Sequence, residues 1–260
     1  MKNELFHIGP ITIYGYGLMI AIGIIAAYIL AERQAKKNGL EKDKVFDLVI
    51  WCIVGGFLGA KVLYIITQMK EILAGQTDVV KLATGFVVYG GIIGGTLGGY
   101  LFCRKNKVSF LKYFDLAMPS VALAQAFGRV GCLLAGCCYG RETTSVIGIT
   151  FHGSDIAPNG IKLVPTQIIS SVLDLLLCLG LLLFAKLAKE RKADGQIGAL
   201  YLMAYSVGRF ILEFYRGDLI RGNVGTLSTS QFISIFLFIA GAAVFVACGV
   251  FQKKQPASME

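Results

Sequence analysis

Seven stretches of apolar residues separated by polar connections organise the chain, running near 14 to 31, 46 to 67, 85 to 103, 111 to 134, 166 to 185, 197 to 215 and 229 to 251. At about 1.5 Å per helical residue, each is long enough or nearly so to cross a hydrocarbon core of roughly 30 Å. Backbone polar groups in lipid must bond within their own segment, so every stretch is predicted to be a helix. The third carries Gly90-Gly91, Gly94-Gly95 and Gly98-Gly99, pairs that stack on one helix face and let a neighbouring helix or an acyl chain lie against bare backbone. The second has Gly55, Gly56 and Gly59 for the same kind of close contact. Residues 135 to 165 contain no continuous apolar run and include a turn at Ala157-Pro158-Asn159-Gly160, which predicts a small folded cap between the fourth and fifth spans.

Composition agrees with this pattern. Of 260 residues, 55% are hydrophobic and only 16% charged, and the mean hydropathy is +0.68, which excludes an ordinary soluble domain. The expectation is an all-α integral membrane protein, a single polytopic domain over 1–260 with seven transmembrane helices and a small extracytoplasmic cap. The formal charge of +9 does not indicate nucleic acid, because the basic residues fall in clusters between apolar runs. Clusters at Arg33 to Lys44, Arg104 to Lys112, Lys186 to Lys192 and Lys253 to Lys254 outnumber Lys2, Lys70, Lys81, Arg141, Lys162, Arg216 and Arg221 in the alternate connections. The richer side faces the cytoplasm, so the amino terminus is expected outside and the carboxy terminus inside. The first apolar run lacks a basic leader and a small-residue cleavage site, and reads as a retained helix.

Three basic residues, Lys61, Arg129 and Arg209, fall within or at the outer ends of spans. Arg129 follows an apolar run from Leu116 to Phe127 and is flanked by Gly128 and Gly131. An arginine near a helix centre costs roughly 2.5 to 3.5 kcal/mol on insertion scales, so it implies an anionic partner. Its guanidinium can fork two hydrogen bonds onto a phosphate, which points to an anionic lipid headgroup. Arg209, Glu213 and Arg216 are spaced i, i+4 and i+7, on one face of the sixth span. They form either a self-satisfied ladder or a frame in which Glu213 holds arginines toward a ligand. Lys61 either snorkels outward or serves the same region. Tyr16 reads as an interfacial anchor or a site residue, and a buried Tyr89 would need a hydroxyl partner. No hydrolase triad is visible, and neither His7 nor His152 lies in an apolar span. Cys132, Cys137 and Cys138 offer a weak metal pattern, with His152 the only plausible fourth ligand, or a disulfide on an oxidising face. A thiol-redox or lipid-binding membrane protein is therefore an alternative reading.

Taken in order, these residues resemble the prolipoprotein diacylglyceryl transferase family. The resemblance runs through Tyr16-Gly17-Leu18, Gly59-Ala60-Lys61, Tyr89-Gly90-Gly91, Asp115 and Pro119, Gly128-Arg129-Val130-Gly131, Gly136 and Gly140. It continues through Pro165-Thr166-Gln167, Gly208-Arg209-Phe210 with Glu213 and Arg216, and Ser230-Gln231. The resemblance implies transfer of diacylglyceryl from phosphatidylglycerol to the lipobox cysteine of a preprolipoprotein signal peptide, in a bacterial plasma membrane, with lateral entry of the lipid. It implies catalytic roles for Arg129, Arg209 and Tyr89, phosphatidylglycerol contacts for Arg129, Tyr16, Gly140, Glu213 and Arg216, and no metal or organic cofactor. Some positions depart from the family pattern. Tyr89 stands where many members have a histidine, Cys132 where many have asparagine, Cys137 where an acidic residue is usual, and Lys61 where arginine is frequent. The sequence Gln167-Ile168-Ile169-Ser170 replaces the usual Gln-x-Tyr-Glu, and Gly136-Cys137-Cys138-Tyr139-Gly140 marks a cysteine-bearing subtype. A relative on the same scaffold with a different acceptor is the other alternative.

Overall fold

The computed structural model describes residues 4–8, 11–75, 79–188, 193–218 and 222–254. Lys2, Lys189, Arg191, Lys192 and Arg221, which contribute to the charge asymmetry, lie outside these residues. The chain opens with an antiparallel hairpin of β1 (Glu4–Ile8) and β2 (Ile11–Tyr14). It continues through α1 (Gly15–Lys37), α2 (Lys42–Thr67), the short α3 (Met69–Leu73) and α4 (Val79–Thr84), α5 (Val88–Lys105) and α6 (Phe110–Ala135). A two-stranded ladder of β3 (Ile149–Thr150) and β4 (Lys162–Leu163) precedes α7 (Thr166–Leu187) and α8 (Gln196–Glu213). A last hairpin, β5 (Asn223–Val224) and β6 (Leu227–Ser228), leads into α9 (Thr229–Lys254).

The long helices coincide with the seven apolar runs to within about six residues at their ends. Five of them, α1, α2, α6, α7 and α9, are long and apolar enough to cross a membrane. At 18 residues each, α5 and α8 are long enough but not apolar enough to meet that standard. Glycines dilute the apolar character of α5, and Gln196, Arg209 and Glu213 that of α8. The apolar pattern does not predict the hairpins, whose strands are too short to show an alternation.

The chain divides into two compact units, Glu32–Tyr113 and Met1–Ala31 with Phe114–Glu260. The first is built on the seam between α2 and α5. A Cβ placed on Gly55 would lie 2.5 Å from the carbonyl oxygen of Gly94, and one on Gly94 would lie 2.8 Å from the Cα of Gly59. The glycine face predicted for the third span is therefore a helix-packing surface. Lys61, on the same α2, donates to carbonyl oxygens of Leu82, Ala83 and Gly85 and lies over the Phe86 ring at 4.8 Å. Its ammonium satisfies the carbonyl end of α4 and the turn beyond it.

The second unit has its core on α6, α7 and α8, where Ala122, Cys178, Leu181, Ile197 and Tyr201 are buried together. Tyr201 donates to Gln125 Oε1 at 2.8 Å, which satisfies its hydroxyl inside that core. Asp115, buried near the start of α6, accepts from the backbone N–H groups of Gly195 and Gly198, both at 2.8 Å. It caps α8 from a different helix, since Gly195 has no side chain to do so. Asp115→Ala leaves two buried donors without this acceptor, and a loss of about 2–4 kcal/mol is expected. Thermal unfolding in detergent checks this, and Asp115→Asn, which keeps one acceptor oxygen, should lose less.

Candidate active site

The site is assembled where α6 stops. Gly136, at φ +71, ends the helix in the left-handed conformation. Its N–H bonds to the carbonyl of Leu133 at 3.2 Å, and that of Cys137 bonds to the carbonyl of Cys132 at 3.1 Å. This Schellman arrangement brings the side chains five residues apart onto one another, here Cys132 and Cys137. Cys138 follows at φ +62, a conformation costly for a residue with a Cβ. The turn is held from α7, where Thr166 Oγ1 donates to the Cys138 carbonyl at 2.8 Å and Gln167 Nε2 to the Cys137 carbonyl at 2.9 Å. As a result the three sulfur atoms lie within 4.8 Å of one another. None of the seven cysteines forms a disulfide. His152 is exposed and is not part of the thiol group.

Hydrogen bonds from Cys132 and Cys137, reinforced by the Arg216 guanidinium, hold the Cys138 thiol far below its ordinary range. The same thiol contacts and burial push Cys137 upward. Tyr16, 42% exposed at the start of α1, has all three cysteines and Arg129 as electrostatic neighbours. The approach is possible because Gly131 presents no side chain. A Cβ there would stand 3.2 Å from both Tyr16 Cδ2 and Met19 Cβ. Gly128, in contrast, faces open space.

Arg129 is half-buried and has no ion-pair or hydrogen-bond partner among the described residues. Its electrostatic neighbours are Tyr205, Cys132, Asp174 and Cys138. It lines a cavity of about 240 Å³ with Ser170, Asp174, Tyr205, Gly208 and Arg209. Arg209 is held in place, ion-paired to Glu213 at 2.6 Å and donating to Ser230 Oγ at 2.9 Å. A larger apolar groove of about 610 Å³ shares Leu173, Ala204, Gly208 and Leu212 with this cavity and extends along Val207 and Ile211 to Tyr215. The structure thus brings Arg129, Arg209 and Glu213 together, with Tyr16 beside Arg129. Tyr89 belongs to the other unit, in the first turn of α5, where it is 38% exposed.

One expected arrangement is corrected. Arg216 does not extend the Arg209–Glu213 ladder, because α8 ends at Glu213 and the chain turns away. Arg216 instead forks onto Asp218, at 2.7 and 2.6 Å. The sequence reading assigns no site role to Asp174, Ser170 and Tyr205, which line the cavity, or to Ser230, which accepts from Arg209. Asp174 carried a usable signal, an acidic residue amid the apolar run of α7, and its Oδ2 is buried without a hydrogen-bond partner among the described residues.

Gly140 is a point of backbone closure. It bonds through its N–H to the Val164 carbonyl, while Arg141 and Gly217 bond to the carbonyls of Tyr215 and Tyr139. A Cβ at Gly140 would lie 2.5 Å from the Val164 oxygen and 2.9 Å from that of Tyr215. Gly140→Ala is expected to part this junction at a cost of about 1–3 kcal/mol, read as a lower unfolding temperature. Beyond it, residues of the 136–165 segment fold around buried Phe151, Ala157 and Leu163.

Helices long and apolar enough to cross a membrane, with a small polar cavity lined by Arg129, Arg209 and Asp174, place the chain in the class of helical membrane proteins. Comparison with known proteins specifies the family. The family model described as prolipoprotein diacylglyceryl transferase matches residues 3–247. A phosphatidylglycerol–prolipoprotein diacylglyceryl transferase of Clostridium tetani is 51% identical over 94% of this chain and 97% of its own length. One from Clostridium perfringens, numbered 2, is 48% identical over 94% of each chain, and one from Finegoldia magna is 32% identical over 93% of each. The chain belongs to the prolipoprotein diacylglyceryl transferase family.

Proposed function

We propose that this chain is a phosphatidylglycerol–prolipoprotein diacylglyceryl transferase of a bacterial plasma membrane. The observation that carries the reading is Arg129, which makes no hydrogen bond or ion pair among the described residues and faces a cavity in which Arg209 is already tethered. Two guanidiniums there call for an anion, and a phosphodiester headgroup supplies one. The adjoining apolar groove suits the acyl chains of the same lipid. In this reading α5 and α8 also span the membrane, giving seven spans in a single polytopic domain. The segment 135–165 is an extracytoplasmic cap, with the amino terminus outside and the carboxy terminus in the cytoplasm.

The acceptor is the lipobox cysteine of a preprolipoprotein. Its sulfur forms a bond to the glyceryl carbon attached to the phosphate oxygen. The carbon–oxygen bond breaks, the electron pair stays on that oxygen, and the thiol proton is released, leaving a thioether and glycerol 1-phosphate. Arg129 and Arg209 stabilise the charge that grows on the leaving phosphate. Glu213 positions Arg209, Arg216 and Gly140 shape the mouth of the site, and Tyr16 and Tyr89 orient substrate or relay the proton.

The test is transfer in vitro. Purified protein in detergent is mixed with phosphatidylglycerol and a synthetic lipobox peptide, and mass spectrometry follows the peptide cysteine. A diacylglyceryl adduct on that cysteine is the expected result. No adduct from folded protein, with an active family member alongside, would overturn the reading in favour of a different acceptor.

A further inference from the structure

The three cysteines at the end of α6 are more than a packing cluster. Two are brought together by the helix stop, and the third is turned in by a left-handed backbone that only this local framework sustains. Four sulfur ligands at about 2.3 Å from zinc stand about 3.8 Å from one another, so thiols already within 4.8 Å need only side-chain rotation to share one ion. Cys137 and Cys138 are half-buried, which leaves an approach to the group. Their backbone carbonyls are fixed by Thr166 and Gln167, so the frame is set before any ion arrives.

We propose that Cys132, Cys137 and Cys138 form a three-thiolate zinc site whose fourth position is open to an incoming thiol. Three protein ligands with an open position is the arrangement of catalytic zinc, whereas structural zinc is closed by four. Among the described residues no fourth protein ligand joins the group. Three thiolates about a divalent ion carry one net negative charge. Arg216, which reaches Cys138, and Arg129, an electrostatic neighbour of Cys132 and Cys138, supply the compensating charge. Zinc binds thiolates strongly, does not change oxidation state, and favours the deprotonated form of a thiol that joins it.

The identity of that incoming thiol rests on the transferase reading, in which the acceptor is itself a cysteine. The peptide thiol takes the fourth position and its proton passes to water. The zinc-held sulfur then forms its bond to the glyceryl carbon as the carbon–oxygen bond breaks toward the phosphate. No oxidant or reductant is required. The site also gives a role to two positions where this chain departs from its family, Cys132 and Cys137.

Metal analysis and zinc-edge X-ray absorption on the purified full-length protein test the proposal. About one zinc per chain is expected, with three sulfur neighbours near 2.3 Å and a fourth when lipobox peptide is added. Cys138→Ser should lower bound zinc by about tenfold or more, while Cys178→Ser, in the apolar core, should leave it unchanged. Absence of zinc in the purified protein and no uptake of added zinc by the reduced protein would overturn the site. So would a disulfide within the group, or copper in its place. Three sulfurs that never become four with peptide would overturn the open position. Zinc bound without any transfer would count against the transferase reading alone, and transfer undiminished in zinc-free Cys138→Ser against the zinc site alone.

Discussion

Arg129→Ala is expected to lower transfer by about a thousandfold, with little change in unfolding temperature. The size follows from removing a preorganised donor aimed at a growing negative charge, which costs about 10²–10³ in rate, and from the engagement of the cavity's other arginine elsewhere. Arg209 cannot substitute, since its guanidinium is engaged by Glu213 and Ser230. The small effect on stability follows from the same observation. Arg129 has no ion pair or hydrogen bond among the described residues for the substitution to break. Arg129→Lys should recover only part of the loss, because an ammonium restores the charge without the planar fork. Turnover of a lipobox peptide by wild type and both variants checks this, alongside melting curves. Equal loss in Arg129→Ala and a globally unfolded control would place Arg129 in the scaffold instead.

Gly94→Leu is expected to prevent the unit of residues 32–113 from folding, seen as loss of the detergent-soluble protein peak. A side chain at 94 would meet the Gly55 carbonyl and the Gly59 Cα, which are backbone atoms that no rotamer change can move aside. Overpacking a well-filled core costs about 1–3 kcal/mol, and separating two helices along their seam costs more than a local adjustment would. Gly94→Ala should be intermediate. The matched control is Gly180→Leu in α7, where a Cβ meets nothing within 4 Å. That variant should express like the wild type.

The helices were legible in the sequence because lipid permits few ways to satisfy a backbone, so a run of apolar residues translates almost directly into an element. Arg129, Arg209 and Glu213 were legible for a related reason, since charges are rare in such runs and each demands an explanation. Asp174 obeyed the same rule and was overlooked. Arg216 failed because helix spacing holds only while the helix lasts, and no glycine or proline before Gly217 announces the stop at Glu213. The thiol group shows the reverse case. Its members are visible as letters, but their convergence depends on Gly136 taking a left-handed conformation and on Cys138 following it. The short hairpins lack any period long enough to read.

The two ties between α6 and α8 have a mechanical meaning. Near one end Asp115 binds Gly195 and Gly198, and beyond the other the backbone at 139–141 bonds with Tyr215 and Gly217. The pair is thus tied near both ends, which resists separation of either end alone. Such a frame disfavours admitting a two-tailed lipid by lifting one end. On the proposed transferase reading, the route left to the lipid is sideways along Leu173, Val207 and Ile211, which are exposed on the flank. Turnover in a stiffer bilayer should then slow in proportion to the lateral mobility of the lipid, even with every residue of the site unchanged.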